Sequence, residues 1–291
     1  MPGISSYCIS CIIKRQEERI RNLPYADEVK AQYMKDLCAI MGQTKATTTS
    51  PEIVAMTRSL SEKYFGMKED YSNQKKEYND FALKLEGSIR EKINMENDSL
   101  FAAIKYARVG NYIDFGAIKD VTKEKFLKLL EEASVNERDK DSYKKFTDDL
   151  EKSKNMVYLT DNCGEIVLDK LLIEEMMKRY PNLSITVIVR GKPVLNDATM
   201  QEAEYVGLSQ MVPVMDNGCD AAGNPLDYIS TETKNTLEKA DIIFSKGQGN
   251  FESLNGCGLN IYYLFLCKCD WFVNRFGLKL LEGVFINDKD L

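Results

Sequence analysis

The chain has 291 residues, 44% of them hydrophobic and 29% charged, which suits a sizeable core and, at roughly 150 residues per domain, about two domains. Its 39 basic and 45 acidic side chains leave a net charge of −6; residues 1–150 carry 25 of each sign and the remainder 14 and 20, so the acidic excess lies wholly in the second half and no basic face for nucleic acid is indicated. With no histidine, Ser-His-Asp and Cys-His nucleophile systems and imidazole-ligated zinc are excluded, leaving Asp, Glu, Lys, Tyr, Cys or a cation-activated water for acid–base chemistry.

The first half reads as helices. Residues 8–22 fit one, and Ala26, Val29, Tyr33, Leu37 and Ile40 form an apolar stripe closed by Gly42. Ser50 before Pro51 reads as an N-cap ahead of Ile53, Met56, Leu60 and Tyr64, with Gly66 as terminator. Tyr78, Ala82, Leu85, Ile89 and Ile93 form a further stripe, and helices also fit 98–109, 122–133 and 140–153. Core packing accounts for these stripes.

After Lys154 the texture changes. Short apolar runs at 156–160, 185–189, 211–215, 242–245, 261–266 and 284–286 alternate with segments long enough for crossover helices, such as 168–178 and 199–205. That alternation predicts an α/β fold with a mainly parallel, doubly wound sheet over 154–291, preceded by an all-helical region over 1–153. The longest apolar run, Ile261–Cys267, is far short of the ~20 residues a bilayer requires, and Met1–Cys11 lacks the pattern of a signal peptide. The expectation is a reduced, cytoplasmic protein without a membrane partner.

In such a sheet ligands bind beyond the carboxyl ends of the strands. The segments there read Asp161-Asn162-Cys163-Gly164-Glu165, Arg190 to Asp197, Asp216-Asn217-Gly218, and Lys246 to Glu252. Turn chemistry alone supplies Asn, Asp and Gly at any one of them, but four loops mixing carboxylates, amides and a lysine favour a site. Asp161, Asn162 and Asp197 offer hard oxygen ligands suited to magnesium or manganese; cobalt or nickel can substitute, because affinity rises along the divalent series. The amides of Cys163, Gly164 and Glu165 would open a helix and favour an anion. Lys246 adds positive charge, and together these describe phosphoryl transfer or phosphate-ester hydrolysis.

The strings DNCGE (161–165), RGKPVLNDAT (190–199) and KGQGNFE (246–252), with GNYIDFG (110–116) and SPEIV (50–54), resemble the damage-control phosphatases, metal-dependent enzymes that share a fold with an acidic-residue methyltransferase-like group. The resemblance spans nearly the whole chain. It implies a helical region over a Rossmann-like domain, a cation held by Asp161, Asn162 and Asp197, and Lys246 facing the phosphate. Glu165 and the Cys8–Cys11 pair resemble the microbial subgroup; Cys163 stands where the family often has Ala. Arg190 and Asn250, within the matching strings, are taken as substrate contacts. Asn111 and Asp114 read physically as turn residues, and the resemblance places them toward the cleft.

Cys8 and Cys11 share a helix face, and strand alternation would point Cys267 and Cys269 to one side. Four such thiolates could hold zinc or an iron–sulfur cluster, although packing of small residues explains them as well. The function expected is hydrolysis of small phosphorylated metabolites (sugar phosphates, phosphopantetheine-like or nucleotide-derived phosphates), by water attack or through a phosphorylated Asp161 or Asp197. The alternatives are an S-adenosylmethionine-dependent carboxyl methyltransferase, disfavoured by the glycine-poor loop at 161–165, and a non-enzymatic metal or redox sensor. Oligomeric state is not legible in the sequence.

Overall fold

The structure, a computed structural model, describes residues 3–118, 120–134 and 137–291. Among these, seven helices precede the first strand: α1 (Ser6–Ile20), α2 (Asp27–Gln43), α3 (Ser50–Phe65), α4 (Ser72–Met95), α5 (Ser99–Gly110), α6 (Lys123–Glu131) and α7 (Glu137–Leu150). The apolar stripes fall on them with ends shifted by a few residues. Two ends are corrected. Gly42 lies inside α2 rather than closing it. Thr49, not Ser50, caps α3: its backbone N–H and hydroxyl each donate to the Glu52 carboxylate at 2.6 Å, and the reciprocal cap outcompetes the next serine. Gly66 ends α3 at φ 63°, as its lack of a Cβ allows.

The second half then runs β1 (Asn155–Leu159), α8 (Glu165–Arg179), β2 (Ser184–Val189), α9 (Met200–Tyr205), β3 (Val214–Asp216), α10 (Thr231–Lys239), β4 (Ile242–Lys246), α11 (Gln248–Leu254), β5 (Ile261–Leu266), α12 (Asp270–Phe276) and β6 (Gly283–Asn287). The sheet order is β3-β2-β1-β4-β5-β6, parallel except for the edge pair β5–β6. β3 is shorter than its apolar run because residues 208–210 form a 3₁₀ turn and Pro213, lacking an N–H, precedes the strand. The chain winds outward from β1 to β3 and then returns to lay β4 on the other side of β1. That reversal opens a crevice beyond the carboxyl ends of β1 and β4.

Side chains alternate between two cores. Met156, Tyr158, Ile242, Phe244, Tyr262 and Leu264 face a core shared with α4, α5, α7 and α8. Val157, Leu159, Ile243, Ile261 and Tyr263 face the other, with Phe251 and Leu254 of α11 and Phe272 of α12. Burial on both faces explains the unbroken apolar runs of these strands. Residues from both sides of position 153 thus pack in one core, whereas α1, α2 and α3 close a smaller cluster around Tyr33 and Leu37. No helix among the described residues is long and apolar enough to cross a membrane.

Phe146 of α7 is fully buried with its ring centroid 5.2 Å from Phe244, 5.0 Å from Tyr262 and 5.8 Å from Phe285. Phe146→Ala is expected to destabilise the protein by about 3–5 kcal/mol through lost burial and a cavity. Denaturant titration measures this, and a loss below about 1 kcal/mol would show that α7 is not anchored through this ring.

Candidate active site

The crevice holds a cleft of about 440 Å³ whose lining includes Asp161, Asn162, Asp197, Asp114 and Lys268. The first two follow β1 directly. Asp197 reaches them because the loop after β2 folds back, bridging Asn162 and Asp197 and bonding Ala198 N–H to the Asp161 carbonyl at 2.8 Å. Asp197 is not a helix cap: Thr199 caps α9, again with a reciprocal glutamate, Glu202.

These side chains are held from behind. Arg190, 1% exposed, donates through Nε to Asp197 at 2.6 Å, through one terminal nitrogen to Asp161 at 3.3 Å and through the other to Asn250 Oδ1 at 3.0 Å. Asn250 in turn donates to the carbonyls of Thr160 and Lys246 and accepts from Asn224. Both residues expected as substrate contacts therefore spend their polar atoms on the framework. Asn162 Nδ2 donates to Asp161 Oδ2 at 2.7 Å and to Glu165 Oε2 at 2.9 Å; its Oδ1 takes part in no hydrogen bond among the described residues. Asn111, at the end of α5, donates to the same two carboxylates and accepts from Leu266 N–H. Gly247, at φ 82°, lets Asp161 lie against the backbone, since a Cβ there would stand 2.0 Å from Asp161 Oδ2.

Lys246 lies beneath this floor. As the last residue of β4 it shares the face of Phe244, and its fully buried ammonium donates to Glu165 at 2.7 Å, Asp169 at 2.6 Å and the Ala107 carbonyl at 2.9 Å. Burial opposes its charge, but the Asp169 and Glu165 carboxylates outweigh it and hold the pKa above the usual lysine value. All three donors are occupied, so Lys246 acts on the cleft through Glu165 rather than by contact with it. Two of the three amides of the expected nest are also taken from within: Cys163 N–H donates to the Asn196 carbonyl at 2.8 Å and Gly164 N–H to Asn79 Oδ1 at 2.5 Å. The Cys163 thiol is buried and pushed up to about 12.

The lysine that lines the cleft is Lys268, just past β5, bonded to Asp114 Oδ2 at 2.6 Å. Asp114 Oδ1 accepts from the Gly116 and Ala117 amides, so the GNYIDFG turn fixes Lys268. Asn196, through Phe115 N–H and the Ile113 carbonyl, ties that turn to the β2 loop. Lys268 follows an apolar run as the other loop residues do, and the same rule applied to 261–266 would have found it.

Charge does not balance here. Among the described residues, the carboxyls of Asp161, Asp197, Glu165, Asp169 and Asp114 form their ion pairs with three cations, Arg190, Lys246 and Lys268. Burial first, then the neighbouring Asp197 and Glu165 charges, push Asp161 well above the usual carboxylate range; burial also raises Asp197, against the pull of Arg190. No group of three or more His, Cys, Asp or Glu side chains is closed around a cation position among the described residues.

A doubly wound α/β chain with carboxyl and carboxamide side chains gathered at its switch point is the class so defined. A family model described as the damage-control phosphatase ARMT1-like domain matches residues 4–283, and the chain belongs to that family of phosphatases. It is 29% identical to a damage-control phosphatase of Archaeoglobus fulgidus (97% of this chain and 98% of that protein covered) and 26% identical to damage-control phosphatase PH1575 of Pyrococcus horikoshii (96% and 95%). It is also 28% identical to an uncharacterized protein of Methanocaldococcus jannaschii (97% and 95%). The crystal structure of the Pyrococcus horikoshii protein, described as DUF89 family, shares the fold with a TM-score of 0.78 at 23% identity, covering 98% of each chain.

Replacing Lys246 by Met leaves Glu165 and Asp169 buried without their cation and is expected to cost about 3–5 kcal/mol of stability. Chemical denaturation checks this. A fully stable Lys246→Met protein would show that the ammonium is not bound as described.

Proposed function

We propose that the cleft hydrolyses phosphate monoesters of small metabolites with a divalent cation, manganese or magnesium, held by Asp161, Asn162 and Asp197. The observation that carries this reading is the donor chemistry. The Asn162 amide is turned so that its oxygen is uncommitted, Asp197 Oδ1 is likewise free of hydrogen bonds among the described residues, and the cluster holds more carboxyl groups than cationic side chains. Hard divalent cations favour such an oxygen set, and one bound there supplies Lewis-acid polarisation of a phosphoryl group.

The chain's own residues do the rest. Arg190 spaces the two aspartates. Asn111 and Glu165 fix the Asn162 amide, and Lys246 with Asp169 holds Glu165. Lys268, not Lys246, is placed to neutralise charge on the phosphoryl oxygens, with Asp114 aiming it. The organic part of the substrate has room toward a second cavity of about 750 Å³ that shares Arg19, Arg58, Tyr71 and Leu195 with the cleft. Sugar phosphates, phosphopantetheine-like and nucleotide-derived phosphates all fit this description. The methyl-transfer alternative finds no open glycine loop after β1, because Asn79 and Asn196 fill that turn. All eight cysteines are free, in keeping with a reducing, cytoplasmic setting.

Dialysis against a chelator is expected to abolish phosphate release, and added manganese to restore it; full turnover in excess chelator would end the proposal. Asp197→Asn retains shape and the Arg190 contact but removes one negative ligand, so calorimetric manganese affinity should fall and turnover should drop on the order of 10²-fold or more. Near-parent rates under limiting manganese would remove Asp197 from the ligand set.

A further inference from the structure

The thiols singled out in the sequence do not come together as a metal cluster among the described residues. Cys267 is buried in the core while Cys269 is exposed, because β5 ends at Leu266 and its alternation does not reach them. What the fold does bring to the cleft is one face of α11. Gly247, just ahead of that helix, lies against the Asp161 carboxylate, and Gln248 and Glu252, one helical turn apart, both line the cleft. Glu252 stands about 6 Å farther along the helix axis than Gln248, on the side away from Gly247.

The framework uses neither side chain. Gln248 is 9% exposed, yet its Nε2 is closed off from solvent and makes no hydrogen bond among the described residues. A buried amide left unpaired destabilises the protein, and a partner that arrives with the ligand relieves that cost. The other carboxyls of the cleft wall are held charged or meet water. Asp161 and Asp197 pair with Arg190, Asp114 with Lys268 and Glu69 with Arg19, and Asp270 is exposed. Glu252 differs. The groups that face it are the Cys8 thiol of α1, which donates to Oε1 at 3.6 Å, the Ser50 hydroxyl of α3 and the Cys269 thiol of α12, and none of these is a cation. Burial therefore pushes its carboxyl up to about 7, against the Ser50 and Cys8 hydrogen bonds.

We infer that this face of α11 is the leaving-group subsite: Glu252 gives its proton to the ester oxygen as the P–O bond breaks, and Gln248 binds the organic group beside it. The inference rests on the phosphatase reading given above. Alcohols of metabolite phosphates leave poorly as alkoxides, and in a chain without histidine a carboxyl that keeps its proton near neutrality suits that task. Water attacks phosphorus while the bond to the organic oxygen breaks, its electron pair going to that oxygen. The Glu252 proton follows, so the organic group departs as an alcohol. The attacking water sheds one proton to solvent and the Glu252 carboxylate takes one back, which leaves ester and water converted to alcohol and inorganic phosphate. Asp161, Asn162, Asp197 and Lys268 stay on the phosphoryl side, so different elements serve the two ends of the ester.

The test uses the full chain with manganese and two esters of similar size. Benzyl phosphate has an alkoxide that must be protonated to leave, whereas the nitrophenolate of p-nitrophenyl phosphate leaves without a proton. Glu252→Gln should lower the benzyl-to-nitrophenyl ratio of kcat by about 10²-fold. In the parent, benzyl turnover should fall as pH rises through about 7 and Glu252 loses its proton, a limb that needs no variant to observe and that Glu252→Gln should lack. Gln248→Met should raise KM by about 10-fold without lowering resistance to denaturant, because no hydrogen bond made in the free protein is lost. A parent that cleaves neither ester removes the phosphatase reading and the inference with it. A parent that cleaves both while Glu252→Gln leaves their ratio unmoved overturns the inference alone, as does a parent that cleaves only the nitrophenyl ester; an unchanged KM in Gln248→Met removes Gln248 from the subsite.

Discussion

The whole site rests on one buried ammonium. Lys246 comes off the end of β4 into a space walled by the first two turns of α8, and it is the only cation in contact with Glu165 and Asp169 among the described residues. Burial pushes Asp169 up to about 7 even with the ammonium beside it, and Lys246 is what pulls it back toward the charged form. Such a pair is not an economical source of stability, since desolvating three charges cancels most of their attraction. Its use is geometric. It fixes the register of β4, α8 and the Ala107 carbonyl of α5 to within hydrogen-bond tolerance.

From that point charge alternates toward the cleft. Asp169 and Glu165 hold Lys246; Asn162 and Asn111 link Glu165 to Asp161; Arg190 joins Asp161 to Asp197. Nearly every donor in this chain is used inward; of the oxygens left over among the described residues, Asp169 Oδ2 is buried beneath the floor, whereas those on Asn162 and Asp197 belong to residues that line the cleft. A floor built this way is preorganised, because its groups need no rearrangement to meet developing charge. Among the described residues that line the cleft, Leu195 is the one non-glycine at positive φ, 45°, consistent with a loop set by its surroundings rather than by its own preference.

The helical half is part of this machinery and not a cover. α4 supplies Asn79 to the turn after β1, α5 supplies Asn111 and the Ala107 carbonyl, and the following turn supplies Asp114, which aims Lys268. Packing of both halves into one core makes those reaches short and fixed.

By itself the sequence determined the α/β class, the approximate positions of the six strands and the missing imidazole chemistry, since apolar periodicity and loop composition are local properties of the chain. The roles of the buried residues were decided only by tertiary structure. One extra residue in β4 turned Lys246 from a loop group into a core group, because alternation along a strand assigns a face and a terminal position cannot be fixed from composition. Arg190, Asn250 and the amides of Cys163 and Gly164 have the chemistry of ligand contacts, yet partners from distant parts of the chain, Asn79, Asn196 and Asn224 among them, took up their hydrogen bonds. A polar residue in a loop reveals what it can bind; whether the protein or a ligand occupies it depends on which neighbours the fold brings within three ångströms.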